Sequence, residues 1–148
     1  MEAAVQSTFV LEDFQLDHIA VSKKLDERTA VALGGDNLFQ INSNGNRVGY
    51  VYLGQAPSMK NVFDYVVLFN PDMSIKKSKV LIYREDYGRQ IGSQRWLKQF
   101  IGKTSGDPLD YGKNIDAISG ATISAKSMTK AVQEVLSSMA ILKAASIL

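Results

Sequence analysis

The sequence predicts an α+β fold: a single domain, mainly an antiparallel sheet of hairpins, with packed helices that include a long C-terminal helix. Two observations carry that prediction. Between Leu38 and Tyr83, β-type apolar runs are separated by turns too short to hold a crossover helix, so neighbouring strands must run antiparallel. Beyond Thr122 the period changes: Met128, Val132, Val135, Met139 and Leu142 form one helical stripe, with Lys126, Lys130, Gln133 and Lys143 lying off it. At 148 residues, 45% hydrophobic and 22% charged, the chain can bury a core without staples.

Taken in order, residues 5 to 33 are the least legible. Phe9, Val10, Leu11, Phe14, Leu16, Ile19, Val21 and Leu25 keep neither a helical nor an alternating period, and some helix is expected between Glu12 and Lys24. Gly34-Gly35-Asp36 breaks the chain, so residues 1–36 are expected to form an N-terminal segment packed on a domain at 37–148. Leu38 to Ile41 predicts a strand, Asn42 to Asn46 a hairpin turn with an Asn-Gly signal, and Val48 to Leu53 its partner, ended by a break at Gly54 to Ser58. Val62 to Phe69, the turn Asn70-Pro71-Asp72, and then Ile75 and Val80 to Tyr83 predict a second pair. Lys76-Lys77-Ser78-Lys79 fits a solvated hairpin end. Ser93 to Gly102 predicts a short helix with a Ser cap and a Gly stop, its Trp96 expected in the core, and Thr104 to Lys113 a polar surface connection.

Composition narrows the chemistry. Cysteine is absent and His18 is the only histidine, which argues against disulfides, thiol catalysis, a multi-histidine metal site and a serine triad. A formal charge of +2 gives no case for nucleic-acid binding. Met1 to Val5 show no signal peptide, and no run approaches the ~20 apolar residues of a membrane span. No residue is assigned a catalytic role.

The stretch Asp116-Ala117-Ile118-Ser119-Gly120-Ala121-Thr122-Ile123-Ser124 lies just ahead of the long helical stripe. It is rich in residues that form turns and cap helices, and a helix start favours an anion such as phosphate. Asp-x-x-Ser-Gly-Ala-Thr resembles the flavinylation motif of the FMN-binding domain family, which includes the covalent-FMN subunits of the sodium-translocating NADH:quinone reductase and of the Rnf complex. By average residue frequencies the degenerate pattern arises by chance in roughly one such chain in a thousand, so a bare helix cap is the weaker reading. The resemblance implies FMN phosphoester-linked to Thr122 by a separate flavin transferase, with Asp116, Ser119, Gly120, Ala121 and Ser124 around it.

Tyr83 to Gly92 is the second informative stretch. Where many family members have Glu-Thr-Pro-Gly packed near the flavin ring, Glu85 and Gly88 match while Asp86 and Tyr87 depart. The resemblance makes Arg84, Glu85, Tyr87 and Gly88 cofactor-binding candidates: Tyr87 or Tyr83 could stack on the ring, and Arg84 or Arg89 could face reduced flavin or phosphate. The alternative is an exposed charged loop with internal ion pairs.

Together these imply an electron-transfer flavoprotein domain, a carrier rather than a self-contained enzyme, serving a redox protein or membrane redox complex in an extracytoplasmic setting, periplasmic or membrane-associated. Two alternatives stand beside it. One is a flavin-dependent reductase of a small molecule, or the flavin-loading domain of one. The other is a cofactor-free binding or scaffold domain that retains the motif.

Overall fold

In the computed structural model, which describes residues 1–33 and 35–148, Asn44 and Gly45 take φ of 53° and 79°. Two consecutive positive φ values suit a two-residue hairpin, because that turn's twist matches the flanking strands. It joins β2 (Leu38–Ser43) to β3 (Asn46–Pro57). β4 (Val62–Phe69) and β5 (Ile75–Ile82) follow, and β1 (Gln15–His18) adds to the other side of β2. The five strands lie in chain order and pair antiparallel throughout.

Strand alternation divides the core between two faces. Phe63, Tyr65, Val67 and Phe69 of β4 join Tyr50 and Tyr52 of β3 beneath α4 (Thr122–Ala144), which buries Met128, Val132, Val135, Met139 and Leu142 against them. Trp96 and Leu97 of the one-turn α3 (Gln94–Leu97) complete that side. On the other face Ile41, Val51, Val66 and Leu68 are covered by Ala4 and Val5 of α1 (Glu2–Phe9). The result is a helix–sheet–helix sandwich in a single domain.

Three local expectations change. Gln15 to His18 form a strand, paired Gln15 to Asn42 through His18 to Phe39, where a helix was expected between Glu12 and Lys24; β2 offers an open edge there, and pairing with it overrides local pattern. Among the described residues the one helix that overlaps that interval is α2 (Lys23–Asp26), started by Ser22 accepting from the Leu25 amide at 3.2 Å. The expected break at Gly34-Gly35-Asp36 lies partly outside the described residues, since Gly34 is not among them.

Gly54 does not end β3, which continues to Pro57. The Tyr65 ring leans over it, and a Cβ there would lie 2.5 Å from the Tyr65 ring and hydroxyl. The lysine cluster is not a hairpin end but the middle of β5, an edge strand, where cations discourage edge-to-edge pairing. Lys76 Nζ sits 5.2 Å from the Phe9 ring centroid, and Lys79 Nζ donates to Ser7 Oγ at 3.2 Å.

Candidate functional site

The first turn of α4 lacks a side-chain cap. Its N-cap is Ala121, whose methyl cannot accept from the first amides, although Asp116 and Ser119 lie close in sequence. Gly120, at φ +81°, turns the chain into the helix. The opening amides and the positive end of the helix dipole are therefore available to an anion. Thr122 is exposed beside them, Ala121 is buried, and Ser124 is only 2% exposed.

The approach to this helix is clamped through its backbone. Trp96 Nε1 donates to the Asp116 carbonyl at 2.7 Å, the Asp116 amide donates to Gln99 Oε1 at 2.8 Å, and the Ile118 amide donates to Tyr111 Oη at 3.0 Å. Ile115 is fully buried, while Asp116 and Ser119 stay exposed. Trp96 is thus a core residue, as expected, and also a holder of the motif. Tyr111 and Gln99 carried no such signal in the sequence, because a bond to a backbone atom leaves no requirement on the residue that supplies it.

The loop after β5 lies directly against this turn. A Cβ on Gly88, at φ +86°, would come 2.6 Å from Tyr83 Oη, 3.5 Å from the Gly120 carbonyl and 3.6 Å from Ala121 Cα. Tyr83 Oη lies 3.0 Å from the Tyr87 carbonyl oxygen and 2.9 Å from Ser124 Oγ. A carbonyl can only accept, so Tyr83 gives its proton to Tyr87 and Ser124 donates to Tyr83. The Gln90 side chain reaches over Gly120, its Nε2 3.0 Å from where a Cβ would stand.

Of the loop candidates, Gly88 lies against the motif, and Tyr87 precedes it with its carbonyl bonded to Tyr83 and the residue 85% exposed. Arg84 and Glu85 turn to the sheet. The Arg84 guanidinium grips Asp64 through both carboxylate oxygens at 2.9 and 3.2 Å and donates to the Val62 carbonyl at 3.0 Å, which holds the Asp64 carboxyl below its usual range. Glu85 Oε2 accepts from the Ser58 hydroxyl and from the Lys60 and Asn61 amides, both at 2.8 Å, so it latches the loop to the β3–β4 turn. Neither residue pairs within the loop, since Arg84 binds β4 and Glu85 the β3–β4 turn, and Ser58 was not among the sequence candidates.

These donors, the Ser58 hydroxyl first, lower the Glu85 pKa below its ordinary value. A group whose pKa is lowered by folding adds stability above its unfolded pKa and loses it as pH falls through the folded value. Glu85→Gln is expected to be less stable than the parent at neutral pH, with the gap closing below the ordinary glutamate range of about 4.3. Denaturant midpoints of both proteins along an acid series check this; a gap independent of pH would remove the charged latch.

A separate depression of about 780 Å³ opens beside α4 at the C-terminal part of β3, where it runs past its pairing with β2, lined by Tyr52, Gly54, Tyr65, Ser127, Lys130 and Glu134 among others. Burial pushes the phenols of Tyr52 and Tyr65 up. Its α4 wall starts at Ser127, roughly 7–8 Å along the helix axis from Thr122.

The chain is similar to known proteins both in sequence and in fold. The FMN-binding domain family is matched over residues 60–137, a span that includes both the 83–88 loop and the motif. The crystal structure of NqrC from Shewanella oneidensis is similar in fold, with a TM-score of 0.54 and 19% identity, over 78% of this chain and 62% of that one. This chain therefore accounts for less than two thirds of that protein's length. No curated protein matches the chain.

Proposed function

The chain belongs to the FMN-binding domain family, and from that premise we propose that it is an electron-transfer domain whose FMN is phosphoester-linked to Thr122. The observation that carries this reading is the contrast between two hydroxyls at the start of α4. Thr122 is exposed at an uncapped helix start, whereas Ser124 is buried and its one proton is committed to Tyr83. A phosphate on Thr122 Oγ would meet the unpaired first-turn amides, so the residues present fit the group. When bound, FMN supplies the redox chemistry at its isoalloxazine ring.

The chain supplies place rather than attack. A threonine hydroxyl needs a base to become a nucleophile, and the only histidine, His18, lies on β1 at the sheet edge opposite β5. Attachment is therefore assigned to a separate flavin transferase holding an activated flavin nucleotide. An Oγ–phosphorus bond forms as the bond from that phosphorus to the rest of the donor breaks; the hydroxyl proton passes to a base of the transferase, and the donor's remaining phosphate-bearing portion departs. Trp96, Gln99 and Tyr111 hold the acceptor turn still while it is presented.

The proposed partners are that transferase and a redox protein or membrane redox complex, in an extracytoplasmic setting, as the family and the NqrC likeness support. Among the described residues no helix is long and apolar enough to cross a membrane. Co-expression with a flavin transferase, followed by denaturation and intact-mass measurement, is expected to show retained yellow colour and the mass of one FMN less one water. Absence of that mass, under conditions that label a known acceptor, would falsify the tethered-carrier reading.

The depression beside β3 favours a second reading, a flavin-dependent reductase of a small molecule, because a concave site floored by Tyr52 and Tyr65 lies within reach of a tether at Thr122. Turnover of small electron acceptors by the loaded protein separates the reductase from the carrier.

A further inference from the structure

The geometry points to Tyr83 as a positioning residue that holds the Tyr87 backbone, and with it an exposed aromatic side chain, on the loop packed against the turn before Thr122. This rests on the proposed covalent attachment and adds a role for the loop. Tyr83 is half-buried after β5, its ring held against Phe63 at a centroid distance of 6.0 Å. Its hydroxyl joins two segments far apart in the chain, donating to the Tyr87 carbonyl at 3.0 Å and accepting from Ser124 Oγ at 2.9 Å. Ser124 lies within the first turn of α4, so the same atom ties the loop to the helix that begins at Thr122.

Three further features restrict the loop to one conformation. Gly88 follows Tyr87 in the left-handed region, with no room for a Cβ beneath the Tyr83 hydroxyl. Glu85 anchors the loop's other side on the β3–β4 turn. Arg84 is held by Asp64. The side chains of Arg84, Glu85 and Tyr83 are thus all engaged, whereas the Tyr87 ring is 85% exposed on a backbone pinned at its own carbonyl. A backbone constrained in this way has little freedom of its own to lose when the exposed Tyr87 side chain is contacted, which lowers the cost of stacking. The ligand chemistry it suits is a planar, electron-poor aromatic ring, as an isoalloxazine is.

Tyr83→Phe keeps the packed ring and deletes only the hydroxyl. In the flavin-free protein, amide hydrogen exchange across residues 84–88 is expected to quicken about five-fold relative to the parent, the effect of one lost hydrogen bond on a local opening. In the loaded protein, Tyr83→Phe is expected to carry the parental flavin mass but to show higher flavin fluorescence, because a stacked phenol quenches the ring. Tyr87→Leu should raise the fluorescence likewise, and the double variant should add nothing further.

Unchanged exchange in Tyr83→Phe, or additive fluorescence gains in the double variant, overturns the assignment. So does a Tyr83→Phe protein that takes no flavin while the parent does, since the hydroxyl would then serve attachment instead of positioning. A parent that takes no flavin defeats the covalent reading first, and is told apart by its missing mass.

Discussion

Thr122→Val is expected to leave the chain folded and without covalent flavin. Valine replaces the threonine hydroxyl by a methyl of nearly the same shape, and Thr122 is exposed, so stability should move by no more than about 0.5 kcal/mol. The mass gain and the colour retained after denaturation should vanish together. The variant also tests the alternatives within the motif, because Ser119 and Ser124 keep their hydroxyls. Ser124 is buried and already donating to Tyr83, so it should not take over. Thr122→Ser restores a hydroxyl at the same place and is expected to regain label. Equal labelling of Thr122→Val and the parent would move the acceptor elsewhere.

The largest loss of stability is expected at Gly49, far from the site. This residue of β3 lies under the Phe9 ring of α1, and a Cβ would stand 2.1 Å from the Phe69 carbonyl oxygen and 2.8 Å from the Phe9 ring. The Phe9 ring can rotate away. The carbonyl belongs to the β3–β4 ladder and cannot move without breaking it. Gly49→Ala should therefore cost about 3 kcal/mol, a large share of the roughly 5–15 kcal/mol that holds a domain folded. Urea denaturation of the flavin-free protein gives the measurement. A midpoint equal to the parent's would mean that the sheet can absorb the methyl, and that α1 is not seated closely on β3.

The parts of the fold that were legible in advance are those whose signals are local. The Asn44-Gly45 turn, the apolar run of β4 and the Met128-to-Leu142 stripe of α4 each follow from residues a few positions apart. β1 was missed because four residues with Leu16 as their main apolar member carry no period, and the strand exists only through β2. α1 is similarly defined by the sheet face it covers. The lysines of β5 were misplaced because an edge strand accepts charge in its middle.

At the site the same division holds. The place of Thr122 at a helix start was legible, since Gly-Ala-Thr precedes the helical stripe. The clamp on Asp116 was not, because Trp96 and Gln99 bind its peptide groups and not its carboxylate. Arg84 and Glu85 stood out as charged loop residues, yet their charges are answered by Asp64 and by the Ser58-to-Asn61 turn.

The strand order has a consequence for assembly in time. Because every strand pairs with its chain neighbour, the sheet grows by closing short loops, each a small entropic step. The Thr122 turn instead requires α4 to bring Ser124 back to Tyr83, against a loop already anchored to Ser58. Its pieces, Ser58, Tyr83 and Ser124, lie far apart in the chain and are joined through the loop that follows β5. If the proposed attachment needs the fully shaped Thr122 turn, labelled chains are those in which these long-range contacts have closed, and mass spectrometry of the product would count them.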